Sequence, residues 1–340
     1  MRSTHMVGTI ETHTAGEPTR IAVSGVPVAA GPDSVAAKRD RFAADHDDVR
    51  TLLLQEPRGH RNMFGAVLVE PGDSRADCGL FFMDTEGYLD MCGHGTIGAV
   101  TALIETGTIA YESGDGPVVV ETPSGLVTTD PVVDDGSVRD VTLTNVSTSY
   151  CDSATVDVDG LGSVPVDVVY AGNFFALVDA DRIGVDVEHD PVETLIEHGL
   201  AVRRRVNEET SIRHPRTDDP ARVDLTEFYR SRDGPDRNVT VFGSGQFDRS
   251  PCGTGTCAKM TLLAERGALD VDEPYVHESR IGTRFEGRLL GTKRVDGATM
   301  YDAAVTGSAY ITGRSTYLKD PADPVHGFDP KADGSERSHR

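Results

Sequence analysis

Residues 92–107 read CGHGTIGAVTALIETG, and residues 252–267 read CGTGTCAKMTLLAERG. Eight of the 16 positions are identical, among them the leading cysteine, the closing glycine and the Glu two places before it. No other feature constrains the fold as strongly. Each copy follows a strand-like run, opens with a cysteine and a glycine-rich turn, continues with helical apolar spacing, and stops at a glycine that can take the left-handed C-terminal conformation. The simplest architecture is two like-built halves, each presenting a cysteine at the start of a helix. A length of 340 residues suits two such units.

The remaining elements read as alternating short strands and a few helices. VGTIETHTAGEPTRIAVSGVPV gives two strands around a polar turn, and SVAAKRDRFAADHDDVRTLLLQEP gives a helix ending before Pro57. MFGAVLVEPG and CGLFFMDTEG read as strands, and PVVVETPSGLVTTDPVV reads as a hairpin. DDGSVRD marks a soft boundary near residue 135. Beyond it come strands at VRDVTLTNV, VPVDVVYAG and NFFALVDA, a helix over VETLIEHGLAVRRRVNEE, the strand NVTVFGSGQ, and strands at EGRLLGTK and SAYITGRSTYL. The expected units are residues 6–135 with Cys92 and residues 136–318 with Cys252, a terminal strand being free to return to the first half. The Pro-, Asp- and Ser-rich residues 319–340 are expected to be a disordered tail.

Charge excludes several functions. The net charge is −22, from 55 acidic and 33 basic residues, with no basic stripe, so nucleic-acid binding is excluded. Acidic runs such as RTDDPARVDLTE read as solvated surface. Only five basic residues are lysine, and dense surface carboxylates fit a halophilic cytosol in which salt screens their repulsion. No run of about 18 apolar residues exists to cross a membrane, and the N-terminus lacks the apolar region of a secretory signal, so a cytoplasmic location is expected. The cysteines, Cys78, Cys92, Cys151, Cys252 and Cys257, are odd in number and have no CxxC spacing. Neither a disulfide framework nor a metal site is indicated.

A cysteine at a helix N-terminus gains thiolate character, and the glycines after it let backbone N–H groups hold an anion. Two such helix starts facing each other would put one sulfur on each side of a ligand. That suits removal of a proton from a carbon beside a carboxylate and its return to the opposite face. Other chemistries are conceivable. GHGTIG and GTGTCA match the dinucleotide pattern GxGxxG/A but open no clear βαβ unit. A Cys92–His94 hydrolase pair is disfavoured, because adjacent positions at a helix start seldom bring sulfur and imidazole together and the second copy has Thr254 instead. A non-enzymatic amino-acid-binding protein would need the anion-holding turns but not both sulfurs. His13, His60 and His214 read as structural or exposed.

The stretches ETHTAGEPTR, LLLQEPRGHRNMFGAV, MCGHGTIGAVTALIETG, YAGNFFALVDA, RRRVNE, DRSPCGTGTCAKM, HESRIGTRFEG and GSAYITG together resemble the proline racemase family, from about residue 8 to residue 318. That family comprises proline racemases, 4-hydroxyproline 2-epimerases and trans-3-hydroxyproline dehydratases. The resemblance implies an α/β (α+β) fold like diaminopimelate epimerase, with two pseudosymmetric halves, each a curled sheet or barrel around a central helix, and an active site in the cleft between them. It implies no cofactor and a homodimer. It makes Cys92 and Cys252 the acid/base pair and assigns the substrate carboxylate to the N–H groups of Gly93, His94, Gly253 and Thr254. It brings His94 and Asp248 to the ring nitrogen. Cys257 departs from the serine or alanine more usual there and reads as packing. The dehydratases carry threonine in place of the second thiol, so Cys252 disfavours dehydration. Phe64 stands where the epimerases tend to have a smaller residue, and Phe242 reads as a second apolar wall. Proline is therefore the expected substrate, ahead of 4-hydroxyproline.

Overall fold

The computed structural model describes residues 5–231 and 234–328. Sixteen of the twenty strands among the described residues fall into two sets of eight with one pairing plan. In the first half the order across the sheet is Ala309–Lys319, His5–Thr14, Glu17–Ser24, Gly65–Val69, Cys78–Met83, Val118–Thr122, Gly125–Asp134 and Ser137–Thr144. In the second it is Ser149–Val158, Gly162–Tyr170, Phe174–Asp179, Leu225–Arg230, Asp236–Phe242, Tyr275–Ser279, Arg284–Val295 and Ala298–Gly307. Both run antiparallel, antiparallel, parallel, antiparallel, parallel, antiparallel, antiparallel. The eighth strands of the two sets pair with each other, so the halves share one continuous hydrogen-bonded sheet.

Parallel neighbours need crossovers, and the two halves place helices at the same points. The third-to-fourth crossover carries Val35–Asp45 and Asp47–Leu54 in one half, and Ala180–Ile183 and Val192–Glu209 in the other. The single helix expected before Pro57 is thus two, broken at His46, while the helix expected over residues 192–209 keeps those bounds. The fifth-to-sixth crossover carries the repeated segments as Gly93–Glu105 and Gly253–Glu265. Each of these core helices lies inside its curled sheet, buried on all sides over most of its length. A helix buried all round is the expected fate of a segment without a polar stripe.

Local turn chemistry repeats too. Asp135 and Gly136 both have positive φ and join the seventh and eighth strands in a two-residue hairpin, and Asp296–Gly297 does the same in the second half. The boundary placed at residue 135 from its turn residues therefore falls at a hairpin tip. By strand pairing the chain passes between halves at residues 145–148, and Ala309–Lys319 returns to pair with the first strand. Part of the expected tail lies against the fold: Arg58 pairs with Asp323 at 2.6 Å, and the Phe328 N–H donates to the Glu56 carbonyl. Residues 329–340 lie outside those described. No helix among the described residues is long and apolar enough to cross a membrane.

Candidate active site

The two core helices meet at their N-termini. A Cβ placed on Gly93 would lie 2.8 Å from the Gly253 α-carbon, and one on Gly253 would lie 3.0 Å from that of Gly93. Only glycine at both positions allows this approach. Two sets of unpaired N–H groups and two positive dipole ends thus converge on one small volume, which favours a bound anion.

Cys92 and Cys252 cap these helices. Cys92 Sγ accepts from the Gly95 N–H at 3.2 Å, and Cys252 Sγ accepts from the Gly255 N–H at 3.4 Å. Both side chains are buried and line one cavity, together with Phe64, Met91, Gly93, His94, Asn173, Phe242, Asp248 and Thr254. The structure brings every residue singled out from the sequence to this cleft, Gly253 through its contact with Gly93.

The surroundings of the two thiols differ. His94 reaches back over the helix start, with Nδ1 3.4 Å from Cys92 Sγ and 3.5 Å from Asp248 Oδ2. Sulfur and imidazole are in contact after all, because an N-cap side chain lies off the helical path and can fold over the first turn. Burial disfavours the charged imidazole, but Cys92 and Asp248 outweigh it and hold His94 well above its usual pKa. Near Cys252 the second copy supplies only the Thr254 hydroxyl, 3.8 Å away. Burial first, then the carboxyls of Asp248 and Glu227, push the Cys252 thiol well above the usual range. The helix start alone would have pulled the other way, so burial and acidic neighbours prevail here.

Backbone geometry also separates the pair. Cys92 is extended, whereas Cys252 has φ +57°, a left-handed conformation that costs a non-glycine residue on the order of 1 kcal/mol. Local bonds hold it: the Cys252 N–H donates to Ser250 Oγ at 3.1 Å, the Ser250 N–H to Asp248 Oδ1 at 2.8 Å, and Asn238 Nδ2 to the Pro251 carbonyl at 2.7 Å. From the other half, Glu17 Oε2 accepts from the Arg249 N–H at 2.8 Å and from Arg249 Nη1 at 3.0 Å. Glu17 is fully buried, and burial followed by Asp248 raises its carboxyl to about 7.

The aromatic wall is continuous with the charged one. Phe64 packs edge-on against His94 with centroids 4.7 Å apart and against Phe242 at 6.1 Å. Sequence reasoning missed Glu17, Asn173 and Glu227. Asn173 donates from Nδ2 to the Met91 carbonyl at 2.7 Å and so steadies the approach to Cys92. Glu227 ends the acidic run that was read as solvated surface, yet it is fully buried. Its burial follows from facing inward on Leu225–Arg230, a position that charge content does not reveal. Among the described residues no group of three or more His, Cys, Asp or Glu side chains could hold a metal ion.

Known proteins show the same plan. The family model described as proline racemase matches residues 9–329. A proline racemase of Acetoanaerobium sticklandii is 40% identical over 334 residues, covering 96% of this chain and 99% of its own. A 4-hydroxyproline 2-epimerase of Streptosporangium roseum is 39% identical over 329 residues, covering 95% and 98%. A crystal structure of a hydroxyproline epimerase from Agrobacterium vitis, with bound trans-4-hydroxy-L-proline, superposes with TM-score 0.90 at 30% identity over 97% of each chain. With its duplicated halves, its paired cysteines and a match across almost its full length, the chain belongs to the proline racemase family.

Proposed function

We propose that this isomerase inverts the α-carbon of proline with two thiols and no cofactor. The observation that carries the reading is the pair of cysteines capping helices whose first turns abut at Gly93 and Gly253. The substrate carboxylate is held by the N–H groups of Gly93, His94, Gly253 and Thr254. Asp248 meets the ring ammonium, a charge-assisted contact. Cys92, beside the His94 imidazole, takes the α-proton, and Cys252 delivers one to the opposite face. Product of the other hand leaves an enzyme with the two roles reversed.

Proline is preferred to 4-hydroxyproline because Phe64 and Phe242 line the ring pocket. A hydroxyl there would lose its water without gaining a partner. Retention of Cys252 speaks against dehydration. The test is to incubate L-proline, trans-4-hydroxy-L-proline and trans-3-hydroxy-L-proline in deuterated water at high salt. Deuterium is expected on the α-carbon of D-proline, formed faster than the epimer of the 4-hydroxy compound. Binding of proline without exchange would overturn the reading. The charge of −22 supports a halophilic setting, and unfolding on dialysis into low salt is expected.

A further inference from the structure

Beneath Cys252 lies a buried acid that the proposed mechanism leaves unused. Glu227 is fully buried, and its Oε2 would sit 2.0 Å from a Cβ built on Gly255, while Cys252 Sγ would be 3.1 Å from that same atom. The carboxyl and the thiol thus press against one glycine, and no other residue leaves room for both. Glu227 Oε2 accepts from the Thr240 hydroxyl at 3.2 Å. Its Oε1 has no hydrogen-bond partner and faces His277 Nε2, equally unpartnered, across 4.0 Å.

These contacts decide the charge. A buried carboxylate is tolerated only when paired, and Thr240 offers a single hydroxyl. Among the described residues the cation nearby is Lys259, and it is drawn to the Tyr229 ring, 3.3 Å from its centroid, with Ser231 Oγ at 3.2 Å and Asp236 Oδ2 at 3.5 Å. The groups facing the carboxyl are His277 and Tyr275 from one strand, Thr240 and Asn238 from another, Cys252, Cys257 and Lys259 from the helix, and Asp248 from the loop. His277 is itself held neutral, lowered to about 3 by burial and then by Lys259. Its Nδ1 bonds Thr256 Oγ1 at 3.1 Å, leaving Nε2 as a lone-pair acceptor when Thr256 donates to the Pro251 carbonyl. A proton on Glu227 would supply the donor that Nε2 lacks.

We propose that Glu227 is a positioning residue that works as a neutral carboxylic acid, aimed at His277, and that its proton permits Cys252 to carry a thiolate after donating to substrate. Ionised, Glu227 would lock Cys252 as a thiol, able to give a proton but not to take one back. Burial chiefly, against the Thr240 hydroxyl, raises the carboxyl to about 8, so it stays protonated at neutral pH. The catalytic consequence rests on the two-thiol reading, but the ionisation itself does not.

The test follows iodoacetamide labelling of Cys252, read by peptide mass spectrometry, in the full protein and in Glu227→Gln. The labelling rates should coincide near about pH 6.5, and the variant should exceed the unsubstituted protein about fivefold near pH 9, where the native carboxyl is charged. The alkaline fall of proline racemisation should move to higher pH in parallel. A variant already faster at about pH 6.5 would mean that Glu227 is ionised there, and equal rates at every pH would mean no coupling. Either overturns the proposal. If the variant fails to fold, infrared spectra of the unsubstituted protein labelled with [13C]glutamate should keep a protonated glutamate band worth about one residue at about pH 7.5, about three-quarters of it from Glu227 and a quarter from Glu17. Absence of that band is equally fatal. A protein that shows this labelling pattern but does not racemise proline would sink the proposed function and leave the assignment of Glu227 standing.

Discussion

Cys92 and Cys252 occupy one position on a repeated helix, yet one has a cationic neighbour and the other a buried acid. Cys92 lies beside an imidazole held cationic, and the glycine that donates to its sulfur packs against Phe82. Cys252 faces Thr254, and its donor glycine packs against the carboxyl of Glu227. The repeat thus supplies two thiols aimed at one space, and the residues around them give the two unequal surroundings. A two-base inversion needs both: matched geometry to reach opposite faces, and a difference in charge to make one thiol the base and the other the acid at the start of a turnover.

The comparison can be broken most severely at the sulfurs. Cys92→Ser and Cys252→Ser should each lower kcat for proline by about 10³-fold or more, since a hydroxyl is a far weaker base at either end. A serine variant at one position that kept most of its rate would mean that only one thiol works. Next, iodoacetamide should label Cys92 about tenfold faster than Cys252 at neutral pH in the ligand-free protein, and His94→Gln should remove most of that preference. Equal labelling before the substitution would show that the two environments do not differ in the expected sense.

The smallest effect lies in stability. Glu227 titrates near 8 in the fold and near 4.5 when unfolded, so between those values the folded chain binds more protons than the unfolded one. Its burial is harmless below about pH 4.5 and destabilises progressively as pH rises to about 8. Glu227→Gln should therefore melt with the native protein at low pH and roughly a few degrees above it at pH 8. A constant offset at every pH would reveal a packing effect instead of a charge effect.

Much of this was legible in local sequence. The Cys-Gly-x-Gly-Thr pattern with a stopping glycine specified both core helices, because helix starts and stops are encoded within a few residues. The helix over residues 192–209 was legible for the same reason. The division of the halves was not. Asp135–Gly136 announces a turn but cannot say which strands it joins, and the pairing of Ala309–Lys319 with the first strand spans the whole chain. Charge patterning failed at Glu227, since an acid at the end of an acidic run looks the same whether it faces water or the core. The contact of His94 with Cys92 was missed because helix-surface spacing rules do not govern the capping residue.

The return of the last strand also orders how the molecule is made. Residues 149–307 contain all eight strands and the core helix of the second half, so that unit can assemble as soon as it is synthesised. The first half begins the chain but lacks its outermost strand until residues 309–319 have been translated. The unit that emerges first is the last to be completed, and its open edge must wait, unpaired, for nearly the whole of translation.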